Sequence, residues 1–372
     1  WPNATRQDVK QNDQYQSLPG FANLESGAPP FVSGFDILAA AGNPGQYPTP
    51  NSALFGTRFH NPEISIDQWN ATIQHQFGND LTVSAGYVGD GARHMFYRWD
   101  HNAIAPGPSN GLTLNQRRPY AAYGFFTNAY DQSNQSSTGY QGATLSVQKR
   151  YSRGLTFTSA FTYGRSYDFG THNALNLANP GPDALSRGPQ DADRRFVLVF
   201  SHVWELPFGN GRAYMNKRGP ADAVLGGWRI SGIETVESGL PFTPVVGNGG
   251  AILNADCCTL TPDITGNPYS GAKTRNMWFN PTAYTSPAAY TFGNVGRNSL
   301  RGPGYFTVDL SLSKTFKFTE RFGFELAGEA FNAFNRTNLG QPNSAIDSST
   351  AGLINSISGN MRRLQVGGTL RF

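Results

Sequence analysis

Apolar and polar side chains alternate with a period of two along several stretches of the chain, the pattern of a strand with two different faces. In residues 69–77, Trp69, Ala71, Ile73 and Phe77 fall on one face, and Asn70, Thr72, Gln74 and Gln76 on the other. Gly78-Asn79-Asp80 then supplies a turn. Leu81, Val83, Ala85 and Tyr87 follow, alternating with Thr82, Ser84 and Gly86, so the unit reads as a β-hairpin with a short connection. The form recurs. Ala143, Leu145 and Val147 alternate with Thr144, Ser146 and Gln148. Past Tyr151-Ser152-Arg153-Gly154, Leu155, Phe157, Phe161 and Tyr163 alternate with Thr156, Thr158 and Thr162. Phe306, Val308, Leu310 and Leu312 alternate with Thr307, Asp309, Ser311 and Ser313. A turn near Thr319-Glu320-Arg321 leads to Phe322, Phe324, Leu326 and Ala330, set against Gly323, Glu325 and Glu329. At the end, Leu364, Val366, Leu370 and Phe372 alternate with Gln365, Gly367, Thr369 and Arg371.

Residues 194–206 and 227–240 are also strand-like, with less clean faces. Residues 196–200 are apolar on both sides, which a bulge or an inner apolar patch would produce. The pattern therefore predicts about nine strands. Their connections alternate in length. The short ones lie near 78–80, 151–154 and 319–321, with 207–226 a longer member of that set. The long ones lie near 89–138, 168–193, 241–304 and 336–361 and are rich in Gly, Pro, Asn and Ser. Such long loops are unusual inside a compact soluble domain, but they are ordinary on the outer side of a membrane barrel. With the short turns in the periplasm, the first and last strands both run inward. Residues 1–62, Pro- and Gly-rich and weakly patterned, are then expected as an outer loop region, and residues 63–372 as barrel strands and loops.

Hydrocarbon supplies the physical reason. Every backbone N–H and C=O there must be paired within protein, and a closed antiparallel sheet achieves this without edges. Alternation places one side chain in lipid and the next in a wet lumen. Aromatics near strand ends (Tyr87, Phe96, Tyr97, Trp99, Tyr163, Tyr167, Phe316 and Phe318) suit the interfacial girdles. A soluble β-sandwich also alternates. Loop alternation, lean charge and a terminal aromatic strand favour the all-β, antiparallel transmembrane barrel. Leu364, Val366, Leu370 and Phe372 form the signal expected to be read by the barrel-assembly machinery.

Composition sharpens this. Charged residues make up only 15% of the 372 residues, yet mean hydropathy is −0.42, so the polarity comes from uncharged side chains. Gly (43), Pro (24) and 13% aromatics favour strands and turns over helices. The net charge of +4 is scattered, with no basic stripe for nucleic acid. No stretch of about 18 apolar residues offers a spanning helix.

Candidate chemistry is sparse. Cys257 and Cys258 are adjacent, so no disulfide framework exists. A bond between neighbours closes a strained ring, and a metal site is the other alternative. Six histidines (His60, His75, His94, His101, His172 and His202) show no metal-binding spacing and are expected at the surface, in the lumen or in loops, where His94 and His101 can meet. Nucleophile elbow, P-loop and dinucleotide patterns are absent, so neither catalysis nor a cofactor is expected. Glu325 and Glu329 share a polar strand face about 13–14 Å apart, whereas a retaining glycosidase pair needs about 5 Å; they read as pore-lining charges. The loop aromatics Tyr120, Tyr123, Phe125, Phe126 and Tyr130 either stack on ligand rings or pack the loop.

Several segments go beyond periodicity. They include Phe279-Asn280-Pro281-Thr282-Ala283-Tyr284, Phe292-Gly293-Asn294-Val295-Gly296-Arg297-Asn298 and Leu300-Arg301-Gly302-Pro303-Gly304. Asp309-Leu310-Ser311-Leu312-Ser313-Lys314, Glu329-Ala330-Phe331-Asn332-Ala333-Phe334-Asn335 and the stretch Arg362 to Phe372 complete them. Weaker ones are Arg117-Arg118-Pro119-Tyr120, Glu205-Leu206-Pro207-Phe208-Gly209 and Ser238-Gly239-Leu240-Pro241-Phe242. Through these the chain resembles the C-terminal portion of TonB-dependent receptors of the Oar-like kind, common in Acidobacteria, over most of residues 64–372. The resemblance implies a barrel of about 22 strands, an N-terminal plug, a TonB-binding segment and often a carboxypeptidase-regulatory-like domain. On it, the chain is expected to be a barrel fragment with open edges when isolated, its TonB contact lying in a missing N-terminal region. The implied site is the bacterial outer membrane, and the implied function is uptake of a small or medium-sized ligand. A surface-adhesion or envelope-organising barrel is the alternative.

Overall fold

The computed structural model describes residues 54–57, 61–123, 126–169, 187–217, 219–255, 260–270, 273–319 and 321–372. Strand β1 is Leu54–Thr57, β2 Ser65–Phe77, β3 Leu81–Asp100, β4 Ala129–Ser152, β5 Leu155–Phe169, β6 Arg187–Pro189, β7 Phe196–Glu205 and β8 Trp228–Glu237. Short strands β9 (Pro241–Phe242), β10 (Asp263–Ile264), β11 (Tyr284–Thr285) and β12 (Leu300–Arg301) follow. Then come β13 (Tyr305–Lys317), β14 (Gly323–Phe331) and β15 (Arg363–Arg371). Helices α1 (Pro220–Leu225) and α2 (Gly249–Leu253) are a turn or so each.

The large sheet runs β15-β14-β13-β8-β7-β5-β4-β3-β2, every neighbouring pair antiparallel. These are the nine strands expected from the alternation. β2 and β15 form its two edges, and every residue of each is exposed. Among the described residues the two edges do not pair, so the wall is open.

Register assigns the faces. Ile73 lies opposite Ala85, Ala85 opposite Leu145, and Leu145 opposite Phe161. Phe161 meets Leu198, and farther along Ile230 meets Leu312. This apolar row is the lipid side. The other side carries Thr72, Gly86, Thr144 and Thr162, then Ser231, Ser311, Glu329 and Gln365. Residues 196–200 resolve as an inner apolar patch. Their pairing is continuous with no bulge, so Phe196, Leu198 and Phe200 face lipid while Val197 and Val199 face inward.

The connections alternate as expected. Arg153 (φ 52°) and Gly154 (φ 84°) form the two-residue turn between β4 and β5. A Cβ on Gly154 would also stand 2.8 Å from the Glu205 carbonyl oxygen, so this turn requires glycine. At the neighbouring turn, Lys149 donates to Asp80 at 2.5 Å and Ser152 also bonds that carboxylate, which these contacts hold below its ordinary pKa.

Two expectations change. The loop expected over 89–138 spans only 101–128, because β3 continues to Asp100 and β4 begins at Ala129. Above the lipid no apolar face is required, so the alternation fades although pairing continues. His94 lies in a strand rather than a loop, whereas His202 lies in β7, within the stretch 194–206 expected to be strand-like. His94 does not close a site with His101 there; its ring Nδ1 lies 3.0 Å from the Glu63 carbonyl. His60, His172, Cys257 and Cys258 lie outside the described residues.

Candidate functional site on the inner wall and its loop cap

The polar face of β5, β7, β8, β13 and β14 lines a recess of about 510 Å³. Hydroxyls of Thr156, Thr158, Ser201, Ser231 and Ser311 line it, with the carboxylates of Asp309 and Glu329 and the apolar Val203, Ile233 and Phe331. Strand alternation puts these types together, since each strand sends every second residue to this side. Asp309 is pre-set: its carboxylate accepts the Asn332 backbone N–H at 2.8 Å, where Asn332 (φ 48°) turns the chain out of β14. Lower on the same face, Glu325 is held between two guanidinium groups. Arg371 donates at 2.8 Å, and Arg229 forms the other ion pair. Glu325 and Glu329 thus lie on the polar face as expected, Glu329 opposite Ser311. The arginine partners escaped the sequence reading because they come from strands distant in the chain.

Above the recess the long loops fold into a cap with its own core. Ile104, Leu253, Leu260, Phe279 and Ile354 are fully buried there. One cluster joins Ile104, Val246, Leu253, Ala255 and Leu260; a second joins Phe242, Phe279, Ala283, Tyr284, Val295 and Leu300, and Ile346 packs against both. The Phe279 ring sits 5.7 Å from Phe242 and 6.0 Å from Tyr284. Complete burial of a Phe or Leu contributes about 2 kcal/mol, so these loops stabilise themselves. Burial pushes the Tyr284 hydroxyl up to about 12. Asp347 accepts Gly247 N–H at 2.8 Å and Asn248 N–H at 3.2 Å, which hold its pKa down.

A clamp docks the cap on the wall. Arg297, 4% exposed, forms ion pairs with Asp168 on β5 and, at 2.9 Å, with Asp191. Asn298 donates to the Pro189 carbonyl and to Asp191, both at 2.7 Å. Arg301 donates to the Asp193 carbonyl at 3.0 Å and pairs with its carboxylate, while Asp193 accepts the Ser166 N–H at 2.6 Å. Asp168 shares its strand face with Thr158, so the cap stands on the polar side. Backbone contact is close: a Cβ on Gly239 would fall 1.8 Å from the Gly302 carbonyl oxygen.

The aromatics singled out in the sequence scatter around this cap. Tyr120 is half-buried, and its backbone N–H donates to Asn102 at 2.8 Å. Phe126 is exposed, and Tyr130 lies on β4, its hydroxyl accepting from Asn128 at 2.9 Å. Tyr123 ends a single 3-10 turn, with its side chain outside the described residues, as is all of Phe125. Leu364, Val366 and Leu370 share the lipid side of β15, and Phe372 follows the strand. No group of acidic, Cys or His side chains fit for a metal occurs among the described residues.

The sequence profile of an outer membrane beta barrel domain matches residues 1–365. No curated protein matches the sequence. Among solved structures, the outer membrane transporter YddB of Escherichia coli is similar at 11% identity and a TM-score of 0.43, over 88% of this chain and 35% of that one. The pyoverdine receptor FpvA of Pseudomonas aeruginosa PAO1, solved with pyoverdine bound, gives 11% and 0.38 over 83% and 30%. The FrpB iron transporter of Neisseria meningitidis gives 10% and 0.37 over 85% and 32%. The chain therefore spans about a third of the length of these proteins.

Proposed function

Because the chain belongs to the outer membrane β-barrel domain family, and so resides in the bacterial outer membrane, we propose that it supplies wall, rim and loops to a receptor that takes up a ligand. The observation that carries this is a self-supporting cap clamped above a polar recess. A wall that only spanned lipid would need neither. The recess pairs hydroxyls with two carboxylates and a few apolar side chains, a surface suited to an uncharged or cationic polar ligand of moderate size. Energy coupling through TonB, and a barrel of about 22 strands closed by strands other than these, rest on the sequence resemblance to Oar-like receptors. In this scheme the assembly machinery reads the Leu364 to Phe372 segment, and Tyr120, Tyr123, Phe125, Phe126 and Tyr130 offer rings at the ligand's entrance.

Retention of small molecules by the detergent-purified protein tests the proposal. A panel of iron chelates, oligosaccharides and peptides is applied, and retained compounds are identified by mass spectrometry. Retention that weakens about tenfold in Asp309→Ala or Glu329→Ala supports a binding recess. Absence of any retained compound, together with loss of cell adhesion when the β3–β4 ribbon is shortened, would favour adhesion instead. The length of that ribbon beyond the lipid is the observation on that side.

A further inference from the structure

The periplasmic connection 207–226 folds into a unit of its own. The Tyr214 N–H donates to the Pro207 carbonyl and the Gly209 N–H to the Tyr214 carbonyl, both at 2.9 Å. The rings of Phe208 and Tyr214 lie 5.9 Å apart. Helix α1 closes the unit. Asp222 is the only polar side chain of that helix, and it is turned into the connection, where it accepts the Asn210 N–H at 2.7 Å. The two ends of the connection touch: a Cβ on Gly209 would fall 2.6 Å from the Gly226 Cα.

Two side chains from the lipid side of the wall hold the end of α1. Lys314 on β13 shares that side with Leu310 and Leu312, and lies opposite Trp228 and Leu326. Its ammonium donates to the Val224 carbonyl at 3.1 Å and to the Gly226 carbonyl. Trp228 Nε1 donates to the same Val224 carbonyl at 2.9 Å. These are carbonyls at a helix C-terminus, where a cation is favoured. The Trp228 and Phe316 rings stand 5.3 and 5.2 Å from the ammonium. Lys314 is only 5% exposed, although strand alternation turns it outward. The end of α1 therefore lies against the outside of the wall and shields this lysine. The rest of the helix surface is uncovered among the described residues. Val224 is 64% and Leu225 46% exposed, and Ala221 and Ala223 are exposed too. A single exposed leucine says little, but here the position decides. Phe318 and Phe322, joined by an N–H to carbonyl bond of 3.0 Å, are exposed and continue the lipid side past Phe316 and Phe324. Lys217, exposed just before α1, sets a cation where lipid phosphates lie. An apolar helix surface fixed beside this aromatic belt meets the boundary between headgroups and acyl chains.

We propose that α1 is a foot that seats the 207–226 connection on phospholipid of the periplasmic leaflet, with Val224 and Leu225 in the acyl boundary and Lys314 and Trp228 bracing it from the wall. The test uses the full protein reconstituted in vesicles of phosphatidylethanolamine and phosphatidylglycerol. Cys257→Ser and Cys258→Ser clear the background, and a nitroxide is attached at Val224→Cys. Oxygen, which concentrates among acyl chains, is expected to relax this label more than a water-soluble nickel chelate does. The same ordering is expected at Val366→Cys on the lipid side of β15, and the reverse at Leu112→Cys in the outer loops. A Val224 label that behaves like the Leu112 label overturns the proposal. Heat-modifiable gel migration reports the folding of each variant. Should the serine background not fold, a photo-activated benzoylphenylalanine replaces Leu225 in the otherwise unchanged protein, expressed in the outer membrane. Illumination should then yield a phospholipid adduct identified by its mass. An adduct to a periplasmic protein alone, or no adduct, overturns the proposal.

Discussion

Arg297 has 4% of its surface exposed and faces two carboxylates, so its charge is sustained by specific partners rather than by water. Arg297→Met removes the cation against which buried Asp168 is balanced, and should weaken cap docking by about 3 kcal/mol. The expected readout is new proteolytic cleavage within 241–304 while the barrel keeps its heat-modifiable migration. Tyr284 gives a pH-dependent counterpart. Its folded pKa of about 12 lies above the ordinary 10.0, so the folded cap binds the proton more tightly than the unfolded chain. The stability this confers is whole below pH 10 and is lost as pH rises toward 12. Cap proteolysis should therefore accelerate over that window in the wild type, and much less in Tyr284→Phe. Little of this was legible in the sequence. The segments holding Arg297, Asn298 and Tyr284 stood out as family-like, but nothing local to them signals docking. The carboxylate partners of Arg297 are 129 and 106 residues away. The Glu325 charge was correctly placed on the polar face, and the two arginines that neutralise it lie 96 and 46 residues away.

Strands were the most legible elements, because lipid and water impose opposite demands on neighbouring residues. On β15 this yields a sharp contrast. Val366→Arg sets a charge on the lipid side and should cost about 2–4 kcal/mol, whereas Gln365→Arg on the other face should be nearly neutral. The fraction of protein that folds into lipid vesicles at graded urea concentrations measures both, and equal costs would mean the faces are misassigned. Where the environment does not alternate, the signal vanished. Val197 and Val199 turn inward yet are as apolar as their lipid-facing neighbours, so β7 showed its existence but not its orientation. β3 and β4 outran their predicted ends for the same reason, since pairing above the bilayer needs no apolar face.

At the level of the molecule, the wall ends, among the described residues, in two unpaired edges, β2 and β15. A strand edge in hydrocarbon is untenable and in water is a template for pairing. Residues 61–372 alone in detergent should therefore self-associate, and sedimentation giving a stable monomer would mean that the two edges had closed on each other. The cap could not be foreseen at this scale, because its buried residues come from segments as far apart as Ile104 and Ile354, with no periodic pattern joining them. The ribbon of β3 and β4 adds an outward reach. A tilted membrane strand needs about ten residues, and β4 has 24. The surplus, at roughly 3.3 Å per residue and a tilt near 45°, lifts its tip about 30 Å above the hydrocarbon edge. A phage, an antibody or a neighbouring cell thus encounters a stiff, hydrogen-bonded spire before it reaches the bilayer, and selection by such visitors will act first on residues 93–137.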